Sequence, residues 1–124
     1  MKNAISWFQI PVTDFERAVK FYNNILSTEF TQTQAMGAKV ALFPMDPQND
    51  AIGGALYQGT GFVPSVNGTT VLLNAGDDLS VVLSKVEPAG GKIHLPKTAI
   101  GNGNGFIAHF IDSEGNRVGL HSKN

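Results

Sequence analysis

Apolar and polar positions along this chain switch from a period of two to a period near 3.6 and back, and they do so twice. Ala4-Ile5-Ser6-Trp7-Phe8-Gln9-Ile10 is rich in aromatic and β-branched residues and stops at Pro11, which predicts a strand. Thr13 or Asp14 then supplies an N-cap, with Glu16 and Arg17 in the first turn. Phe15, Ala18, Val19, Tyr22 and Ile25 recur three and four apart, the apolar face of a helix of about 13 residues. Residues 30–34 and 39–43 read as strands around a turn at Met36-Gly37, 44–50 as a loop, and 52–58 as a strand weakened by Gly53-Gly54.

The cycle then restarts. Residues 69–75 predict a strand, and Asp77-Asp78 cap a helix that carries Leu79, Val82, Leu83 and Val86 on one face. Pro88-Ala89-Gly90-Gly91 ends it. A strand at 92–95, a glycine-rich loop at 100–105, a strand at 106–111, the turn Asp112-Ser113-Glu114-Gly115 and a last strand at 116–121 complete the chain. The order strand, helix, three strands therefore occurs over about 1–60 and again over about 68–124, with the Gly-, Thr-, Ser- and Pro-rich stretch 59–68 between. Two copies are too few for a solenoid. They fit an α+β domain in which two sheet units share one core, each covered by a helix.

Composition narrows the chemistry. At 124 residues the chain has the length of one domain. It has no cysteine, which removes disulfides, thiolate nucleophiles and Cys-ligated metals. A net charge of −1, with nine Lys and Arg scattered, gives no basic stripe for nucleic acid or an anionic membrane. The N-terminus lacks a signal-peptide pattern, and no run approaches the ~20 apolar residues of a membrane span; a cytoplasmic protein is expected. Gly101-Asn102-Gly103-Asn104-Gly105 lacks the Lys-Ser/Thr of a phosphate loop and precedes a strand, so it reads as a loop over the site.

The motifs resemble a known family. Ile10-Pro11-Val12-Thr13-Asp14, Arg17-Ala18, Phe21-Tyr22, Leu73-Asn74, Val86-Glu87-Pro88-Ala89-Gly90-Gly91-Lys92 and the run from Ile111 to His121 are together similar to the vicinal oxygen chelate superfamily of glyoxalase I, bleomycin-resistance proteins and extradiol dioxygenases. The resemblance covers essentially the whole chain. It implies two βαβββ modules forming an open curved sheet, a cup, with helices on the convex face, and a homodimer. It also implies that catalytic members hold a divalent metal on four cup positions, typically His, Gln or Glu. Carried over one at a time, these fall on Trp7, Gly54, Thr70 (or Val71) and Gly119, none a good ligand. No metal and no other cofactor is expected; a divalent metal enters only in the alternative that the ligands are misaligned.

Strand alternation fills in the cup. Trp7 brings Ile5 and Gln9, Gly54 brings Leu56 and Gln58, Thr70 brings Leu72 and Asn74, and Gly119 brings Arg117 and His121; His109 shares that face across the hairpin. The expected ligand-binding set is Trp7, Gln9, Leu56, Leu72, Asn74, His109, Arg117 and His121, mostly apolar with a few polar points, as small-molecule sites are. Each has an ordinary alternative: Trp7 as core filler, His109 as a buried hydrogen-bonded histidine, His121 as a solvated edge residue. The expected function is a glyoxalase/bleomycin-resistance-type protein that binds a small apolar or aromatic molecule without a metal. The alternative is an enzyme of the same superfamily, a lyase, isomerase or dioxygenase, using His109 or His121 as catalytic base.

Overall fold

The structure, a computed structural model, describes residues 3–46, 48 and 50–124. Its elements are β1 (Trp7–Pro11), α1 (Phe15–Leu26), β2 (Thr31–Ala35), β3 (Ala38–Leu42), β4 (Gly53–Gln58), β5 (Leu72–Asn74), α2 (Ser80–Leu83), β6 (Lys92–Ala99), β7 (Phe106–Ile111) and β8 (Arg117–Ser122). The first half forms a sheet of order β1-β4-β3-β2 and the second repeats it as β5-β8-β7-β6. In each, the first strand runs parallel to the last, which requires a crossover, and the remaining pairs are antiparallel. This is the α+β architecture of two βαβββ modules with open sheets. Among the described residues, no helix is long and apolar enough to cross a membrane.

Asp14, not Thr13, caps α1: its Oδ1 accepts the Arg17 N–H at 3.1 Å, and Ser27 in the left-handed region (φ 51°) ends the helix. The buried stripe of α1 holds Phe21 as well as Phe15, Ala18, Val19, Tyr22 and Ile25. It is wider than one sheet needs because the helix packs on both. Tyr22 meets Phe43 at 5.8 Å between ring centroids, while Phe21 meets Phe110 at 5.9 Å. One apolar cluster thus runs from Ile10 and Leu56 through α1 to Phe110 and Leu120. The second helix is only a single regular turn with further turns after it, yet Leu79, Leu83 and Val86 are buried as their spacing predicts.

The turn after β7 ties the modules together. Asp112, 4% exposed, accepts the Tyr22 hydroxyl at 2.7 Å and the Asn116 side-chain amide at 3.1 Å on Oδ2, and two turn N–H groups on Oδ1. Asn116 donates to the Pro11 carbonyl at 2.7 Å and accepts from Ser65 N–H at 3.1 Å, so 59–68 is pinned rather than a free linker. The Glu114 side chain is fully covered at the N-terminus of α1. Its Oε1 accepts from Asp14 N–H (2.6 Å), Thr13 N–H (3.0 Å) and the Thr13 hydroxyl (3.1 Å); Oε2 accepts from Arg17 Nε (2.7 Å) and Ser113. Burial alone would push this carboxyl up, but the hydrogen bonds from Arg17, Asp14, Ser113 and Thr13 outweigh it and hold it at about 2.

Two strand lengths differ from expectation. β5 has only three residues. β6 runs on to Ala99 through Pro96, which an edge strand tolerates because that face of the backbone needs no partner, and its register with β7 shifts around this point.

Candidate functional site

Pairing between strands decides which residues share the cup. Trp7 lies beside Gly53, Gln9 beside Ala55 and Pro11 beside Tyr57, all on one face; Phe8 beside Gly54 and Ile10 beside Leu56 face the helices. Leu56 is fully buried in the cluster under α1, so its expected place on the Trp7 face is corrected, and with it Gly54, whose cup position belongs to Gly53. The physical reason is that two adjacent glycines have no side chains to reveal their phase; only the register with β1 does. In the second module Leu72 lies beside Gly119, repeating Trp7 beside Gly53, so the position expected at Thr70 or Val71 is Leu72.

The two glycines make room for apolar covers. A Cβ on Gly53 would run into the Met45 thioether and stand 3.1 Å from the Trp7 ring. A Cβ on Gly119 would run into the Leu72 side chain and stand 3.3 Å from the His109 ring. Trp, Gly, Leu and Gly supply no metal donor, and among the described residues no three of His, Cys, Asp and Glu are grouped to hold an ion. The donor set does not fit the divalent metal that the resemblance implies.

Between the unpaired edges of β1 and β5 lies a slot with two adjoining parts. The larger is an open groove of about 680 Å³ that runs from Ile5, Gly53 and Leu72 inward to Phe8, Leu26 and Phe43 at the edge of the core. The smaller, about 180 Å³, lies under Val63 and Ser65 at the Gln9 end and is lined by Arg117; Thr69 and Val71 border both. Ile5 and Leu72, which line the groove, are 49% and 48% exposed, and Trp7 and Met45, 42% and 44% exposed, lie over Gly53 at its margin. Met45 comes from a segment that sequence reads only as a loop, and no periodicity could have placed it here.

The polar candidates divide by what they already hold. Arg117 Nη2 donates to the Thr70 hydroxyl at 3.0 Å, whereas its Nε is shielded and has no acceptor. His109 pairs with Gly119 on the cup face; burial first, then the charges of Arg117 and His94, pull its imidazole below the ordinary value, so it is neutral at neutral pH. Asn74 Oδ1 is engaged by Gly76 N–H at 2.9 Å, holding the turn after β5. Gln9 is exposed. Lys97, outside the expected set, is held by Asp78 at 2.9 Å and lies over the Phe106 ring.

His121 Nε2 lies 2.9 Å from the Asn104 carbonyl, so that nitrogen donates and the ring holds the 100–105 loop. A His121→Ala variant is therefore expected to raise amide exchange at Ile100 and Asn104, whose N–H groups close this loop, by about tenfold, with the global unfolding midpoint nearly unchanged. Equal exchange in variant and parent would remove the ring's anchoring role.

Residues 4–120 match the sequence profile described as Glyoxalase/Bleomycin resistance protein/Dioxygenase superfamily. Among solved structures, glyoxalase I of Zea mays superposes with a TM-score of 0.72 at 18% identity, over 95% of this chain and 44% of that one. A glyoxalase/bleomycin resistance protein of Albidiferax ferrireducens T118 gives 0.68 at 17% identity over 98% of this chain and all of that one. The fosfomycin resistance protein FosX of Mesorhizobium loti gives 0.61 at 17% identity, over 100% and 94%. The chain spans less than half the length of the maize protein, and at these identities the likeness is one of fold. No curated protein matches by sequence. The profile match is nearly end to end and falls on two successive βαβββ units, so the chain belongs to the Glyoxalase/Bleomycin resistance protein/Dioxygenase superfamily, the vicinal oxygen chelate proteins.

Proposed function

We propose that this protein binds a small apolar or aromatic molecule in the cup without a metal. The observation that carries the reading is the repeated glycine cover: at two of the four places where a ligating side chain would stand, a glycine lies under Trp7 and Met45 or under Leu72. The cup floor therefore offers apolar area and van der Waals contact rather than charge. The groove is of a size for a small ligand, and its few polar groups suit orientation more than chemistry. The reading includes a cytoplasmic homodimer, for which sedimentation equilibrium is the direct measurement.

The chain has one tryptophan, so Trp7 reports on the cup directly. Phenylnaphthylamine, a neutral aromatic dye, is expected to quench Trp7 saturably at one site per chain and to be recovered unchanged. Absence of saturable quenching would sink the reading. One observation favours a second reading, an isomerase- or lyase-type enzyme: His109 is neutral and on the cup face, the state a general base requires. Among the described residues no carboxylate hydrogen-bonds to orient it, which places this reading second. Turnover of a hemithioacetal that His109→Ala abolishes would reverse the order.

A further inference from the structure

Arg117 is a cation without a counter-ion at the junction of the two parts of the slot. Its guanidinium lines the smaller cavity, and its one side-chain partner, Thr70, lines the larger groove. Among the described residues no Asp or Glu pairs with it, and its Nε is buried without an acceptor. The carboxylates nearest in sequence are spent elsewhere: Asp112 on Tyr22 and Asn116, Glu114 on Arg17 and the start of α1. A buried charged donor without an acceptor is costly, and the guanidinium fork matches paired oxygens of an acidic group such as a carboxylate, phosphate or sulfonate. The surrounding polar groups, Gln9, Ser65 and Thr69, are neutral, and so is His109.

We propose that the ligand is an aromatic or apolar anion, its ring system in the groove against Ile5 and Leu72 and its acidic group on Arg117 beside Thr70. This rests on the small-molecule reading above and adds the charge of the ligand. A groove holding only a neutral apolar guest would leave the charge of Arg117 with the Thr70 hydroxyl as its side-chain partner among the described residues.

Two dyes with the same ring skeleton separate the ideas: anilinonaphthalene sulfonate carries an anion, and phenylnaphthylamine does not. The sulfonate is expected to bind at one site about tenfold more tightly than the neutral amine at low salt. Arg117→Met should remove that preference, bringing the two dyes to comparable affinity. If the variant melts far below the parent, the salt response of the unaltered protein replaces it: the preference should shrink as sodium chloride rises through the range where charges are screened. Equal affinities in the parent protein, or a preference that survives both the variant and salt, overturns the anion assignment alone. If neither dye binds saturably, the small-molecule reading falls and this inference with it.

Discussion

Replacing Glu114 with alanine is expected to lower the stability of the fold by about 3 kcal/mol, the range for removing one partner of a covered, multiply hydrogen-bonded charge. For a chain of this length that is roughly 10 °C in melting temperature. The loss has several sources acting at one point. The variant leaves Thr13 N–H and Asp14 N–H at the head of α1 without their acceptor, and it frees Arg17. It also removes one of the ties between the modules, because Glu114 belongs to the β7–β8 turn while Arg17 lies in α1 and Thr13 and Asp14 just before it; the Tyr22–Asp112 and Asn116–Pro11 ties remain.

The same group gives an acid signature. Its carboxyl sits at about 2 in the folded protein against an ordinary value of 4.5. The folded value is the lower one, so this contribution is complete above about pH 4.5 and disappears as the pH falls toward 2. Glu114→Gln, similar in shape but uncharged, should therefore be less stable at neutral pH and should lose less stability across that acid range. Urea unfolding of both proteins at neutral and acid pH measures the difference. Parallel acid limbs would show that Glu114 is not the clamp described here.

Trp7→Ala is expected to weaken phenylnaphthylamine binding about thirtyfold, read by the dye's own fluorescence or by calorimetry. The indole is 42% exposed, leaving on the order of 80 Å² for a guest to cover. At about 25 cal/mol per Å² this area is worth about 2 kcal/mol. The fold itself should change little, because Trp7 is not part of the apolar cluster under α1. An unchanged dissociation constant would move the ligand away from the Trp7 wall.

Much of the architecture was legible because its causes are local. A cap at Thr13 or Asp14, the three-and-four spacing of α1 and the turn after Ile111 each depend on residues close in sequence. So did the pairing of Arg117, His109 and His121 on one face of the second sheet, since side chains alternate strictly along β7 and β8 and their hairpin is tight. Leu56 was not legible. Its strand starts with two glycines, and a phase error of one residue moves every side chain to the other face. Leu72 stands on the expected face, but the position placed at Thr70 falls on Leu72 itself, two residues along, because where the second parallel pair begins depends on β8, more than 40 residues away in sequence.

The sequence by itself therefore determined the family, the doubled βαβββ order and the poverty of metal donors, all properties of residue type and local period. Only the tertiary structure decided which glycine lies under Trp7, that Met45 comes back over it, that Glu114 fastens one module to the other, and that Arg117 has no carboxylate partner among the described residues. Each of those is a contact between segments far apart along the chain. Such contacts are set by strand register and packing, and neither leaves a signal in the local order of residues.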